Sequence, residues 1–221
     1  MALMKRVIAI DSSGTEQAIV LLGGEAFDIL ASEAWRRERT GEDRTLLERA
    51  QQLMRSAGWS VESLSCVVAA RGPGSFTGLR VGLSVAAGLA YGLGISLYLV
   101  DSLQVLAAES KPQAGAIRDA GRREVYAWRP GLDPQRMGVG QLVEWIPQGL
   151  PLVVEPAAAL AQWSPKHADQ EVKVTERSRL PQALAVVAIE ALSRGKPVRY
   201  HEIEPLYVQP AAAQERKEAQ L

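Results

Sequence analysis

The sequence predicts an α/β protein whose two halves repeat one pattern, and three observations lead there. Three short apolar strand patterns follow one another from Arg6, and an apolar helical stripe comes next. Strand, helix and strand patterns then alternate up to Asp101, after which strand patterns begin again.

Arg6-Val-Ile-Ala-Ile-Asp11 reads as a strand with a carboxylate at its end, followed by the turn Ser12-Ser13-Gly14. Residues 15–22 form a second strand, Gly23-Gly24 a hairpin turn and residues 26–34 a third strand. A helix of roughly four turns spans residues 42–57, with Leu46, Leu47, Ala50, Leu53, Met54 and Ala57 on one apolar stripe. Glu42, Asp43, Arg44, Glu48, Arg49 and Arg55 lie off that stripe.

Cys66-Val-Val-Ala-Ala70 is short, apolar and β-branched at its centre, which predicts a strand buried on both faces. Gly72, Pro73 and Gly74 make a tight turn, and Ser75 or Thr77 caps a helix that runs to about Leu93 and stops at Gly94. Residues 95–100 return as a buried strand. The turn offers free backbone N–H groups to an anion. Its glycines at 72, 74 and 78 match neither a dinucleotide fingerprint nor a phosphate loop, and Ser75 lacks the glycine that follows a nucleophile two residues later. Gly72, Pro73, Gly74 and Ser75 are therefore read as a structural loop.

No residue from Val81 to Val100 is charged. A membrane span is rejected, because Gly82, Gly88, Gly92 and Gly94 interrupt the run, Tyr91 and two serines dilute it, and no positively biased flank accompanies it. Gly78, Gly82 and Ala86 recur every four residues along one face, which lets a neighbouring helix approach closely. The neighbour belongs either to this chain or to a partner. On the second reading Leu47, Met54, Gly78, Gly82 and Ala86 form the partner interface.

After Asp101, Ser102 caps a helix to about Ser110, and residues 114–118 and 124–128 are strands. Residues 130–147 are rich in Pro, Gly and Asp and read as irregular. A strand at 150–155 and a short helix at 157–163 follow. Leu184, Val187, Ala188, Ala191 and Leu192 give the segment 180–193 helical spacing, residues 205–208 cross back, and 214–221 is a charged tail. The predicted organisation is a first domain over 1–101, a smaller second domain over 102–205, and a C-terminal segment over 206–221. A three-strand meander followed by helix, strand and helix is the order of a ribonuclease-H-like domain. Two such halves predict tandem ribonuclease-H-like domains of the actin/Hsp70/sugar-kinase (ASKHA) type. In that architecture the first hairpin turn approaches a nucleotide phosphate, which makes Asp11, Ser12, Ser13 and Gly14 candidate nucleotide-binding residues. A turn carboxylate is the other reading of Asp11.

At 221 residues and 47% hydrophobic content the chain has ample material for a packed core in one large domain or two small ones. Its 25 basic and 25 acidic side chains leave no overall charge to attract nucleic acid or an anionic membrane. Cys66, the single cysteine, rules out an internal disulfide and fits a reducing compartment; with no signal peptide apparent, a cytoplasmic protein is expected. The two histidines, His167 and His201, form no His-x-x-x-His pair, so a metal site is not expected.

Ile8-Ala-Ile-Asp-Ser12, Arg71-Gly-Pro-Gly-Ser-Phe-Thr-Gly-Leu-Arg-Val-Gly82, and Ser84 with Gly88-Leu-Ala90 resemble the TsaB (YeaZ-type) family of bacterial tRNA threonylcarbamoyladenosine (t6A) synthesis. Glu124-Val-Tyr126 and Glu204-Pro-Leu-Tyr207 fall where that family has similar residues. The resemblance implies a noncatalytic paralogue of the TsaD threonylcarbamoyl transferase, pairing with TsaD through helices of the first domain and joined by the small ATPase TsaE. It also implies contact with tRNA only through the complex, no cofactor held by this chain alone, ATP at a subunit boundary, and a homodimer when the partner is absent. Arg118, Arg122, Arg123 and Arg129, around one hairpin, are candidates for direct tRNA contact; a solvated strand pair flanked by Asp119 and Glu124 is the other reading. Rival functions are a stand-alone ATP-dependent ASKHA-type enzyme using Asp11 and the 72–78 loop, or a glycoprotease-like (M22) hydrolase.

Three positions depart from the family pattern. Gly41-Glu42-Asp43-Arg44 has no His at the head of the first long helix, Asp119-Ala-Gly121-Arg-Arg123-Glu exchanges an Arg and a Gly, and Gln209 stands where Arg is expected.

Overall fold

A computed structural model describes residues 5–36, 45–110, 114–147, 149–155, 172–174 and 179–208. The first five strands are β1 (Arg6–Asp11), β2 (Glu16–Gly23), β3 (Asp28–Arg36), β4 (Cys66–Ala70) and β5 (Ser96–Val100), and they form a sheet of order β3-β2-β1-β4-β5. β1 sits at its centre because Val7 to Ile10 are apolar without alternation, so both faces are covered. It pairs antiparallel with β2, with Val7 opposite Leu22, and parallel with β4, with Ile8 opposite Val67. The C-terminal ends of β1, β4 and β5 therefore lie on one edge, and Asp11, Arg71 and Asp101 collect there.

Helices α1 (Leu46–Ser56) and α2 (Phe76–Leu93) cover one face of this sheet. Ile8, Ile10, Ile19, Leu21 and Val67 meet Leu46, Ala50, Met54, Leu83, Ala86 and Ala90 there. α1 opens on a capping box: the Thr45 hydroxyl accepts from the Glu48 amide at 3.3 Å and the Glu48 carboxylate accepts from the Thr45 amide at 2.7 Å. The predicted residues 42–44 of this helix lie outside the described residues. α2 begins and ends as its sequence requires, with Ser75 at the N-cap and Gly94 in the left-handed region at φ 65°.

The second set of strands is β6 (Gly115–Gly121), β7 (Glu124–Trp128), β8 (Gln135–Gly138), β9 (Leu152–Glu155) and β10 (Val172–Val174), in the order β10-β9-β6-β7-β8. Counted from its own first strand this is the order of the first sheet, and the antiparallel and parallel pairings repeat as well. Helix α3 (Ser102–Ala108) buries Leu103 and Leu106 against one face of it. The short α4 (Leu142–Trp145) places Leu142 against the other, beside Ile117, Val125 and Met137.

β8 and α4 fall inside 130–147, where the sequence predicts irregular structure. β8 is an edge strand of four residues with only Met137 buried, too short for its alternation to register. Ser102 does not cap α3. The N-cap is Asp101, whose carboxylate accepts from Arg71 Nε at 2.7 Å, while Ser102 is wholly buried and accepts from the Gly72 amide at 3.1 Å. The predicted helix at 157–163 and the charged tail lie outside the described residues.

Helix α5 (Leu180–Arg194) lies within the predicted second domain in sequence and packs on the first sheet. Its Leu180, Leu184, Val187 and Ala188 pack on Val7, Ala9, Ala18, Val20 and Leu22, the face of the first sheet opposite α1 and α2. The chain stays with that sheet afterwards: Val198 bridges Leu97, and the Leu206 amide donates to the Arg71 carbonyl at 2.7 Å. α5 thus joins the first sheet, and it meets Val105 of α3 as well.

Candidate functional site

The signature segment from Arg71 to Gly82 is explained by close approach. A Cβ on Gly78 would lie 2.1 Å from the Ser12 carbonyl oxygen, one on Gly82 2.1 Å from Ser12 Oγ, and one on Gly74 2.4 Å from the Ser13 carbonyl oxygen. The first turns of α2 rest on the Asp11-Ser12-Ser13 loop with no room for side chains. Polar contacts fix that seat. Ser12 Oγ donates to the Gly78 carbonyl at 2.8 Å, the Ser75 amide donates to the Ser13 carbonyl at 2.7 Å, and Ser75 Oγ accepts from the Gly78 amide at 3.2 Å. Gly72, at φ 118°, and Pro73, after a cis peptide bond, complete the structural loop.

This placement corrects most of the predicted partner interface. Gly78, Gly82 and Ala86 face inward and are buried, and Met54 is 1% exposed in the core under α1. Of the five, only Leu47, at 43%, is exposed. The small-residue face is the inner face, shared with Leu79, Leu83 and Ala90. The outer face carries Phe76, Thr77, Arg80, Val81, Ser84, Gly88 and Tyr91, with Arg80 its one charge, and Phe76, Val81 and Tyr91 are 56%, 43% and 66% exposed. α2 is long and apolar enough, by length and composition alone, to cross a membrane. Its inner face is instead packed on the first sheet.

The C-terminal segment lies along part of the outer face. Tyr200 meets Tyr91 with ring centroids 4.6 Å apart, and Tyr207 meets Phe76 at 6.2 Å. Between α2 and this segment lies a groove of about 580 Å³ lined by Arg80, Ser84, Ala87, Tyr200, Ile203 and Tyr207. A larger cavity of about 650 Å³ opens among α3, α5 and Trp128, with Arg71 and Asp101 on its wall.

The candidate nucleotide residues are brought together and enclosed. Asp11, Ser12 and Ser13 are each no more than 2% exposed, and Gly14 is half-buried. Asp11 Oδ1 accepts from the Ser13 amide at 2.9 Å, a turn contact. Over this loop lies Arg118 from β6. Its Nη1 donates to Ser13 Oγ at 2.9 Å and to the Pro73 carbonyl at 2.8 Å, while Nε and Nη2 donate to Glu155 Oε2 at 3.0 and 2.7 Å. Glu155 Oε1 accepts from the amide and hydroxyl of Thr15 at 3.3 and 3.4 Å. Burial pushes the Arg118 pKa below its ordinary value, and the charges of Asp11 and Glu109 oppose that shift. Leaving one member of such a buried pair alone costs about 3–5 kcal/mol.

The arginine cluster of the sequence is therefore dispersed. Arg118 is buried over the Asp11 loop, Arg129 stacks on Trp145 at 5.0 Å, and Glu124 is paired with Arg136 at 2.5 Å. Arg122 and Arg123 alone of the four stand exposed, at a hairpin turn. Glu155, Thr15 and the outer aromatics of α2 are the residues that sequence reasoning missed.

The family model described as TsaD: tRNA N6-adenosine threonylcarbamoyltransferase matches residues 43–138. A tRNA threonylcarbamoyladenosine biosynthesis protein TsaB of Escherichia coli is 33% identical over 55% of this chain and 53% of its own length. An uncharacterized protein of Mycobacterium tuberculosis is 34% identical over 69% of this chain and 67% of that protein. YeaZ from Pseudomonas aeruginosa superposes with a TM-score of 0.74 at 22% identity, covering 93% of this chain and all of that one. The chain belongs to the TsaB/YeaZ-type family. Its match spans about half the length of the E. coli relative. As a TsaB/YeaZ-type chain it carries an α/β fold with two mixed sheets, the fold shared with the Pseudomonas protein.

Proposed function

We propose that this chain is a noncatalytic scaffold subunit in the synthesis of tRNA threonylcarbamoyladenosine, pairing with a TsaD-like transferase and, through that pair, with a TsaE-like ATPase. The relatives named TsaB supply the pathway. The observation that carries the pairing is the outer face of α2, where Val81, Ser84, Gly88 and Tyr91 are exposed around a single charge, with Leu47 of α1 exposed as well. A desolvated centre with a polar rim is what a specific interface requires. At Gly88 and Gly92 no atom lies within 4 Å of the place a Cβ would take, which lets a partner helix lie close. In this reading tRNA is met through the complex and any ATP lies at a subunit boundary. The repeated strand order supports two tandem ribonuclease-H-like domains of the ASKHA type, with α5 completing the first.

Size-exclusion chromatography and titration calorimetry with the TsaD-type paralogue from the same genome test the reading. Wild type is expected to form a stable pair, and Gly88→Arg to lose it with no fall in melting temperature. A pair that survives Gly88→Arg and Leu47→Arg together removes this surface. A chain that associates only with itself favours a stand-alone homodimer. Saturable ATP turnover by the purified chain favours the enzyme reading.

A further inference from the structure

Arg118 and Glu155 bridge the two sheets at the place where an ASKHA-type cleft would take a nucleotide phosphate. We infer that this pair is a clasp that holds the two sheets in one arrangement and, as an internal ligand, keeps phosphate out of the cleft. The guanidinium touches three separate segments: the loop after β1 at Ser13, the loop after β4 at Pro73, and the end of β9 at Glu155. Glu155 reaches back to Thr15, so the hairpin turn of the first sheet is gripped from both members of the pair.

Three of the amides around this loop are already engaged. The Ser13 amide donates to Asp11, the Thr15 amide to Glu155 and the Ser75 amide to the Ser13 carbonyl. Charge points the same way: Asp11 and Glu155 outnumber Arg118, and a carboxylate-rich cleft opposes a polyphosphate. A Cβ on Gly74 would stand 2.4 Å from the Ser13 carbonyl oxygen and 2.9 Å from Arg118 Nη1, so the signature loop lies close against both the Asp11 loop and the guanidinium. None of this depends on pairing with a transferase.

The full chain, with spin labels on cysteines placed at the exposed Ser32 and Arg122 in a Cys66→Ala background, reports the distance between the sheets. One narrow distance is expected, and Arg118→Met should broaden it and add a longer population. Glu155→Gln keeps the side-chain shape while removing the charge, and should shift the distribution in the same direction if Arg118→Met does not fold. A narrow distribution unchanged in a folded variant overturns the clasp. Hydrogen exchange with Mg–ATP is the second arm. The amides of Ser13, Thr15 and Ser75 are expected to exchange at the same rate with and without millimolar nucleotide in wild type; saturable slowing there overturns the exclusion of phosphate.

Discussion

One substitution made at two glycines of the same helix should change stability in opposite directions. Gly88 is an exposed interior residue of α2, and no atom lies within 4 Å of the Cβ an alanine would add. Gly88→Ala should stabilise the fold by about 0.5–1 kcal/mol, because glycine loses more backbone entropy on entering a helix. Gly78 carries the same propensity gain. Its Cβ would lie 2.1 Å from the Ser12 carbonyl oxygen, which belongs to backbone held by Ser12 Oγ donating to the Gly78 carbonyl at 2.8 Å. Forcing the helix off its seat costs about 1–3 kcal/mol as overpacking and about 1 kcal/mol for the hydrogen bond. With the propensity gain subtracted, Gly78→Ala should lose about 2 kcal/mol. At about 2–4 °C per kcal/mol for a chain of this size, differential scanning calorimetry should find Gly88→Ala a few degrees above wild type and Gly78→Ala about 4–8 °C below it. Equal rises in both variants would refute the seating of α2 on the Asp11 loop.

Arg122 and Arg123 occupy the β6–β7 turn at φ 57° and 63°, and an L-residue pays about 1–2 kcal/mol in that region. Arg123→Gly should therefore stabilise by about 0.5–1 kcal/mol after the entropy of glycine is subtracted, measured by urea unfolding at unchanged m-value. Burial pushes the Cys66 thiol up to about 12. The folded state thus keeps the neutral thiol while the unfolded chain ionises, so this contribution is whole below about pH 9 and is lost as pH rises toward 12. Raising the pH from 7.5 to 10.5 should cost wild type about 2 kcal/mol more than it costs Cys66→Val, read as the difference in urea midpoints. The same burial predicts that native Cys66 resists iodoacetamide at pH 8 and reacts after unfolding; modification of the native chain at the rate of a free thiol would contradict it.

Much of the fold was legible because the buried strands announce themselves. Val7 to Ile10 and Cys66 to Ala70 are apolar at every position, which only a strand covered on both faces requires, and Ser75 and Gly94 bracket α2 by backbone chemistry that is local. What failed was long-range. Leu184, Val187 and Ala188 reveal a helix but not which sheet receives it, and α5 passed to the first. Arg118 and Glu155 stand 37 residues apart with nothing in their neighbourhoods to mark a pair, so Arg118 read as one of four surface arginines.

The small-residue motif shows where sequence reasoning stops and how far phase can carry it. Spacing of four between Gly78, Gly82 and Ala86 says that something comes close; it does not say whether a loop of the same chain or a helix of another does. Phase decides. The three share their side of α2 with Leu79 and Leu83, whose size gives them reason to be inside, and the residues out of phase carry Arg80 and the serine and glycines that tolerate water. The outer face then inherits its rigidity from the inner one. Because Ser12 and Gly78 lock the first turn of α2 to the Asp11 loop, and Arg118 locks that loop to the second sheet, Val81, Gly88 and Tyr91 stand on a support already ordered before a partner arrives. A surface ordered in advance loses less conformational entropy on binding, which is the physical advantage on which the proposed scaffold role would draw.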